Sequence, residues 1–361
     1  MKKCSSTFSP IIAHLANLSF SEGVFPSAFK CTQITPIVKK AALDPSILTN
    51  YRPISNLSTI SKILKQLYLS RLKPQVSPLC SPLQSAYRSH HSTETALIRI
   101  VNDMVEAADS GCATVLVALD LSAAFDTIDH AVLLSRLSDT FGVTRTALNW
   151  IKSYLTARTS FVRIGSISSS TISIDTGVPQ GSVFRPLLFT LFTTPLGDII
   201  TRFELRFHQY ADDTQICIAI RRDNIACVTS NLAACTAAVY DWLRHNRLAL
   251  NPNKSEAAMY GTALRVQSLK GDTFITVADA PVELSHSMKS LGVTTDENLT
   301  LRIRSKCMQG FIFSHPWSTA IDGSRLDYCN AIFGWNIRSQ PKQTAVCPEY
   351  SGPSCHGNSS S

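Results

Sequence analysis

The chain has 361 residues, 44% of them apolar and 17% charged, with a formal net charge of +8. This composition excludes a disordered or fibrous chain and leaves capacity for one large domain or two ordinary ones. The positive balance favours an anionic partner, nucleic acid foremost, and eleven scattered cysteines without a CxxC pair fit reduced thiols inside a cell.

The first twenty residues, MKKCSSTFSPIIAHLANLSF, imitate a signal peptide, but the apolar core is short and interrupted by His14 and Asn17. Residues 11 to 20 are expected as a short helix and FKCTQITPIVKK as a strand. DPSILTNYRPIS is expected as a loop fixed by Pro45 and Pro53, followed by a helix from Ile60 to Leu72. A second helix is expected over Thr93 to Ala108, with Leu97, Ile100, Val101, Met104 and Val105 as its apolar stripe.

CATVLVALDLS, residues 112 to 122, is a nearly continuous apolar run of buried-strand length that stops at Asp120. Helices are expected over 130 to 139 and 145 to 157, with Trp150, Ile151 and Leu155 inward. The segment FVRIGSISSSTISIDTGV reads as a hairpin, and helix resumes after Gly181. The longest apolar stretch, VFRPLLFTLFTTPLGDII, is broken by Arg185, Pro186, Pro195 and Asp198, so no membrane span is expected. A strand pair then brackets Asp212 and Asp213. A long helix over Asn224 to Leu243 leads to LALNPNKSEAAMYG, a turn before a last short strand. Periodicity fades beyond Thr300, and Cys347, Cys355 and His356 match no zinc spacing. The order implies an α+β fold, a small antiparallel sheet with helices packed on one face.

HQYADDTQICIAI, residues 208 to 220, sets two like charges side by side between strands. One reading is a hairpin tip whose aspartates favour the turn. The other is a divalent-metal site in which Asp120, at the end of its own strand, faces Asp212 and Asp213. An ionised carboxylate at the end of a buried strand is costly unless it is paired or metal-bound. Both readings stand on the residues alone.

The motifs ALDLSAAFDTIDH, TGVPQGSVFRPLLF, YADDTQ and LALNPNKSE, in that order, resemble a LINE-type (non-LTR) retrotransposon reverse transcriptase. NYRPISNLSTISKILK and LQSAYRSHHSTETAL resemble its finger motifs, SLGVTTDENL its primer-grip region, and SRLDYCNAIF a thumb segment. The resemblance covers about residues 20 to 330. It implies right-hand polymerase fingers and palm over 20–295, an N-terminal remnant over 1–19, and a degenerate, shortened thumb with a disordered tail over 296–361.

It also implies RNA-directed DNA synthesis from dNTPs on a DNA primer and an RNA template. Mg²⁺, with Mn²⁺ as a substitute, would be held by Asp120, Asp212 and Asp213. Phe125 falls at the family's steric gate against a 2′-hydroxyl, and Asp126 belongs to the same motif. Gln180 and Gly181 match a turn that approaches the template–nucleotide pair, and Arg88 a finger arginine that clamps the triphosphate. Lys39, Lys40 and Arg52 are further phosphate or template candidates, and Lys254 matches the general acid for pyrophosphate. Core packing for Phe125, and a solvated surface for the basic residues, are the competing readings. A retroelement of this kind implies the cytoplasm and nucleus; no protein partner is implied.

The chain departs from the family pattern at Arg185, where a glycine usually stands, so either exposure or a strained turn is expected there. The thumb-like region looks shortened, and no endonuclease segment is seen before residue 1. A fragment or decayed copy of an element's open reading frame is therefore expected, with an inactive nucleic-acid-binding remnant as the alternative function.

Overall fold

Helices and strands form where caps and apolar spacing require them. In the computed structural model, which describes residues 5–122, 124–251, 254–271, 273–297 and 301–302, α1 covers Ser5–Glu22, β1 Cys31–Val38 and β2 Tyr51–Asn56. The Ser58 side chain accepts the Ser61 N–H to start α2 (Thr59–Val76), and a capping box between Ser92 and Thr95 starts α3 (Thr93–Asp109). β3 (Ala113–Leu119) and β4 (Leu121–Ser122) flank Asp120. Next come α4 (His130–Asp139), α5 (Arg145–Leu155), β5 (Arg158–Ile164), β6 (Ile167–Ser168) and β7 (Ile172–Ile174). α6 (Arg185–Thr201) leads into β8 (Arg206–Tyr210) and β9 (Asp213–Ile220), then α7 (Ile225–His245), β10 (Ala249–Leu250), β11 (Glu256–Tyr260) and α8 (Ala263–Lys270). Short strands complete the described chain: β12 (Ile275–Val277), β13 (Ala280–Val282), β14 (Leu284–Ser285), β15 (Ser287–Ser290), β16 (Val293–Asp296) and β17 (Leu301–Arg302).

The continuous apolar run before Asp120 is explained by its place in the sheet. β3 lies at the centre of the order β14-β11-β3-β9-β8, antiparallel to both neighbours. Val115, Val117 and Leu119 join Ile216, Ile218, Ala257 and Met259 in a core shared with α6 and α7. Leu116, Cys217, Ala258 and Tyr260 point the other way, under Ile100 and Met104 of α3. Most helices thus share one face, while α3 covers the second. Each fully buried aliphatic side chain favours this register by about 1.5–3 kcal/mol, and a one-residue slip would reverse both faces.

A second sheet has the order β2-β1-β5-β6, with β7 also paired to β5. Here the expected loop over 44–55 is corrected, because Tyr51–Asn56 forms a strand. Pro53 lies opposite Pro36 in the register, and β2 is an edge strand, where a missing amide costs no ladder bond. The helix expected over 11 to 20 runs from Ser5 to Glu22, so a boundary between residues 19 and 20 falls inside it. The Trp150 indole N–H donates to Ser19 Oγ at 2.8 Å and Phe20 meets Trp150 edge-on. Val105 of the expected α3 stripe is 38% exposed, whereas Leu97, Ile100 and Met104 are buried. Further short strands follow the strand after Lys254, which itself pairs with β3.

The chain divides into units 1–311 and 312–361, and every described residue belongs to the first. The thumb-like segment SRLDYCNAIF and Cys347, Cys355 and His356 lie outside the described residues. Among the described residues no helix is long and apolar enough to cross a membrane.

Candidate active site

β8 and β9 close at the Tyr210–Asp213 pair, leaving Ala211 and Asp212 as a two-residue turn. Ala211 takes φ = +58°, the left-handed value that such hairpin turns need at their first central position. The β3–β9 ladder ends at Leu119 opposite Thr214, so the next residue of each strand is Asp120 and Asp213. The segment after β10 holds Asp120 from the other side: Asn251 N–H donates to its carbonyl at 2.8 Å, and β10 pairs with β4 just beyond it.

Asp213 feels both other carboxylates, and Asp212 feels Asp120. The Asp213 carboxyl is pushed up to about 6, first by surrounding protein that strips water from its flanks although the residue stays open at the surface, then by Asp212 and Asp120. Desolvation also raises Asp212, and Asp120 adds to the shift, against its own backbone amide and Arg185. Asp120 is raised by desolvation and drawn back by Lys254, whose exposed side chain is therefore within electrostatic reach. Even so, among the described residues no three His, Cys, Asp or Glu side chains form a ready metal cage. The donors are hard oxygens whose repulsion a divalent cation would relieve, so the chemistry of this set fits such an ion.

Beside the acids, Arg185 corrects the expectation of exposure or strain. It is the first residue of α6, its backbone avoids positive φ, and its side chain is only 14% exposed. Nη2 meets Asp126 Oδ1 at 3.0 Å, Nη1 donates to the Val178 carbonyl at 3.1 Å, and the guanidinium lies 4.8 Å from the Phe125 ring centre. Phe125 also packs against Phe189 at 4.2 Å, so its ring is held by two neighbours.

Pro179-Gln180-Gly181-Ser182 forms a turn closed by Ser182 N–H donating to the Pro179 carbonyl, with Gly181 at φ = +95° in the third position. The Gln180 carbonyl accepts from Ser55 N–H of β2, and Ser182 Oγ bonds the buried Tyr154 hydroxyl at 2.8 Å. The turn is thereby tied to both sheet and core.

Two predicted phosphate contacts are engaged elsewhere. Arg88 Nη1 donates to the carbonyls of Ser81 and Gln84, and Lys39 Nζ to that of Thr49. Sequence reasoning missed Gly177, at φ = +74° with Asp126 O only 2.5 Å from where a Cβ would lie, and also Gln84, which touches the Ala211 turn. The glycine in DTGV is a visible turn signal; Gln84 lies inside the quoted segment LQSAYRSHHSTETAL, but nothing in that segment points to a contact with Ala211.

Residues 37–295 match the family described as reverse transcriptase (RNA-dependent DNA polymerase). Over 297 residues the chain is 29% identical to the RNA-directed DNA polymerase from mobile element jockey of Drosophila melanogaster, covering 80% of this chain and 31% of that one. The jockey polymerase of Drosophila funebris is 30% identical over 287 residues, covering 78% and 30%. The chain therefore spans less than a third of the length of either relative. Among solved structures, apo telomerase from Candida tropicalis truncated from the C-terminal domain aligns with a TM-score of 0.53 at 12% identity, covering 78% of this chain and 56% of that one. That last likeness is one of fold.

Proposed function

The chain belongs to the reverse transcriptase (RNA-dependent DNA polymerase) family, of the LINE type that its motifs resemble, and we propose that it synthesises DNA on an RNA template. One observation carries the proposal. The register ending at Leu119 and Thr214 brings Asp120 to the hairpin that bears Asp212 and Asp213, so that Asp120 adds to the proton affinity of Asp212, and both add to that of Asp213.

In this reaction the 3′-hydroxyl oxygen of a DNA primer gives up its proton to water and attacks the α-phosphorus of a dNTP, the bond from that phosphorus to the β-phosphate oxygen breaks, and pyrophosphate leaves. Mg²⁺, or Mn²⁺ in its place, would when bound neutralise charge on the attacking and leaving oxygens. Asp120, Asp212 and Asp213 are the oxygen donors that would hold it. Lys254, in reach of Asp120, is the proposed proton donor to pyrophosphate. Phe125, held between Phe189 and Arg185, is the proposed barrier to a 2′-hydroxyl. Gln180 and Gly181 supply backbone for close approach to the template–nucleotide pair. Triphosphate contact by Arg88 or Lys39 requires each side chain to leave the carbonyls it now holds. RNA template, DNA primer and dNTPs are the proposed partners, and cytoplasm and nucleus the proposed places of action.

Purified protein is expected to extend a DNA primer on an RNA template with Mg²⁺, and Asp212→Ala to abolish extension without lowering the melting temperature. Extension that survives the substitution refutes the metal role; tight RNA binding with no extension in Mg²⁺ or Mn²⁺ favours the inactive remnant.

A further inference from the structure

Ala211 presents a local problem. A non-glycine residue in the left-handed region is disfavoured by about 1–2 kcal/mol, yet this residue sets the direction in which Asp212 leaves the turn. One buried side chain meets it at both ends. The amide oxygen of Gln84 accepts the Ala211 N–H at 3.0 Å, and its amide nitrogen donates to the Ala211 carbonyl at 3.2 Å. The same oxygen accepts from Ala86 N–H at 3.0 Å, so a flipped amide would face two N–H groups with its own NH₂ and lose all three bonds.

Gln84 is itself held in place. It is 2% exposed, and its segment lies along the free edge of β8: Ser85 N–H donates to the Gln209 carbonyl at 2.9 Å, and Gln209 N–H to the Leu83 carbonyl at 3.0 Å. Arg88 closes the segment on itself through Ser81 and Gln84. A donor and an acceptor of fixed spacing on a buried side chain thus meet the two backbone groups of a strained, half-buried residue.

We propose that Gln84 is a positioning residue for the acidic site, its amide clamping Ala211 in the left-handed conformation and so fixing Asp212 toward Asp120 before a cation arrives. The inference rests on the polymerase reading only in what the site is for; the clamp itself is a property of the turn. Removing an outer partner that orients a ligand typically weakens metal affinity roughly 10–100-fold.

The test uses the full chain with Mn²⁺ as the probe, its affinity read by electron paramagnetic resonance and the Ala211 amide followed by hydrogen exchange. Gln84→Met, which keeps length and removes both polar ends, is expected to weaken Mn²⁺ binding about 10-fold or more and to speed exchange at Ala211. Ala211→Gly, which needs no clamp, is expected to restore much of the affinity in the Gln84→Met background. Wild-type Mn²⁺ affinity in folded Gln84→Met, or an equal loss when Ala211→Gly is also present, overturns the proposal. If Gln84→Met does not fold, Gln84→Glu decides by the same criteria, since it retains the acceptor and turns an oxygen toward the Ala211 carbonyl. Should wild type bind no Mn²⁺, the metal reading fails separately, and unchanged exchange at Ala211 in the variant then sinks the clamp.

Discussion

Arg185 and Asp126 form a 3.0 Å ion pair that joins the start of α6 to the loop after β4. The same guanidinium rests on Phe125 and donates to the Val178 carbonyl, so one side chain braces three parts of the site. Arg185→Gly is therefore expected to destabilise the fold by about 1–2 kcal/mol. Glycine costs about 1 kcal/mol in a helix interior and less at this first position, the ring contact accounts for about 0.5–1, and the ion pair for a few tenths because Asp126 is 53% exposed. A denaturant midpoint equal to that of wild type would show that the brace contributes nothing.

That brace also marks where sequence reading stopped. Arg185 looked like an intrusion because a glycine usually stands there, but the backbone is helical at this point and the charge finds Asp126 nearby in space. The acids were legible for a physical reason: an apolar run ending in Asp120 and a strand–Asp–Asp–strand pattern each have a cost that a shared cation removes. β2 was hidden by Pro53, whose effect depends on whether a strand is an edge, a property of the sheet and not of the segment. Gln84 was hidden more deeply, since its partner lies 127 residues away and its amide is unremarkable in composition.

Gly177 separates backbone demand from crowding. A Cβ there would approach Asp126 O to 2.5 Å, whereas Gly165, also at positive φ, has nothing within 4 Å. Gly165→Ala should cost about 1–2 kcal/mol from the backbone alone. Gly177→Ala should cost roughly 1–3 kcal/mol more, because the Phe125–Asp126 loop must move, and primer extension should fall with it. Equal melting temperatures for the two variants would remove this loop from the account.

Acidity offers a direct view of Asp213. Its folded pKa, raised to about 6, exceeds the unfolded value, so the folded state binds more protons between about pH 4 and 6. Its contribution to metal-free stability therefore declines as pH rises through that window. Asp213→Asn should be more stable than wild type at pH 7, by about 1 kcal/mol after discount for the open carboxylate, and equal to it below about pH 4. Saturating Mn²⁺ should reverse the order at pH 7, because only wild type gains from the ion. Parallel pH–stability curves for the two proteins would contradict a shared acidic field.

Lys65 supplies the reverse case, a cation without an anion. It is fully buried in α2, its Nζ has no hydrogen-bond partner among the described residues, and it lies 5.8 Å from the Tyr154 ring centre. Burial first, then Arg158 and Lys62, pull its pKa down to about 7. Between about pH 7 and 10 the unfolded chain holds a proton that the folded chain gives up, so wild-type stability rises with pH across that range. Methionine fills similar space without the charge. Lys65→Met is expected to stabilise the protein at pH 7 by about 2–3 kcal/mol, below a ceiling of roughly 5 set by the shift itself. The gain should shrink steadily toward pH 10, where the unfolded lysine also loses its proton. A gain independent of pH would mean that packing, not charge, separates the two side chains, and a loss at pH 7 would mean that the buried amine has a partner worth keeping.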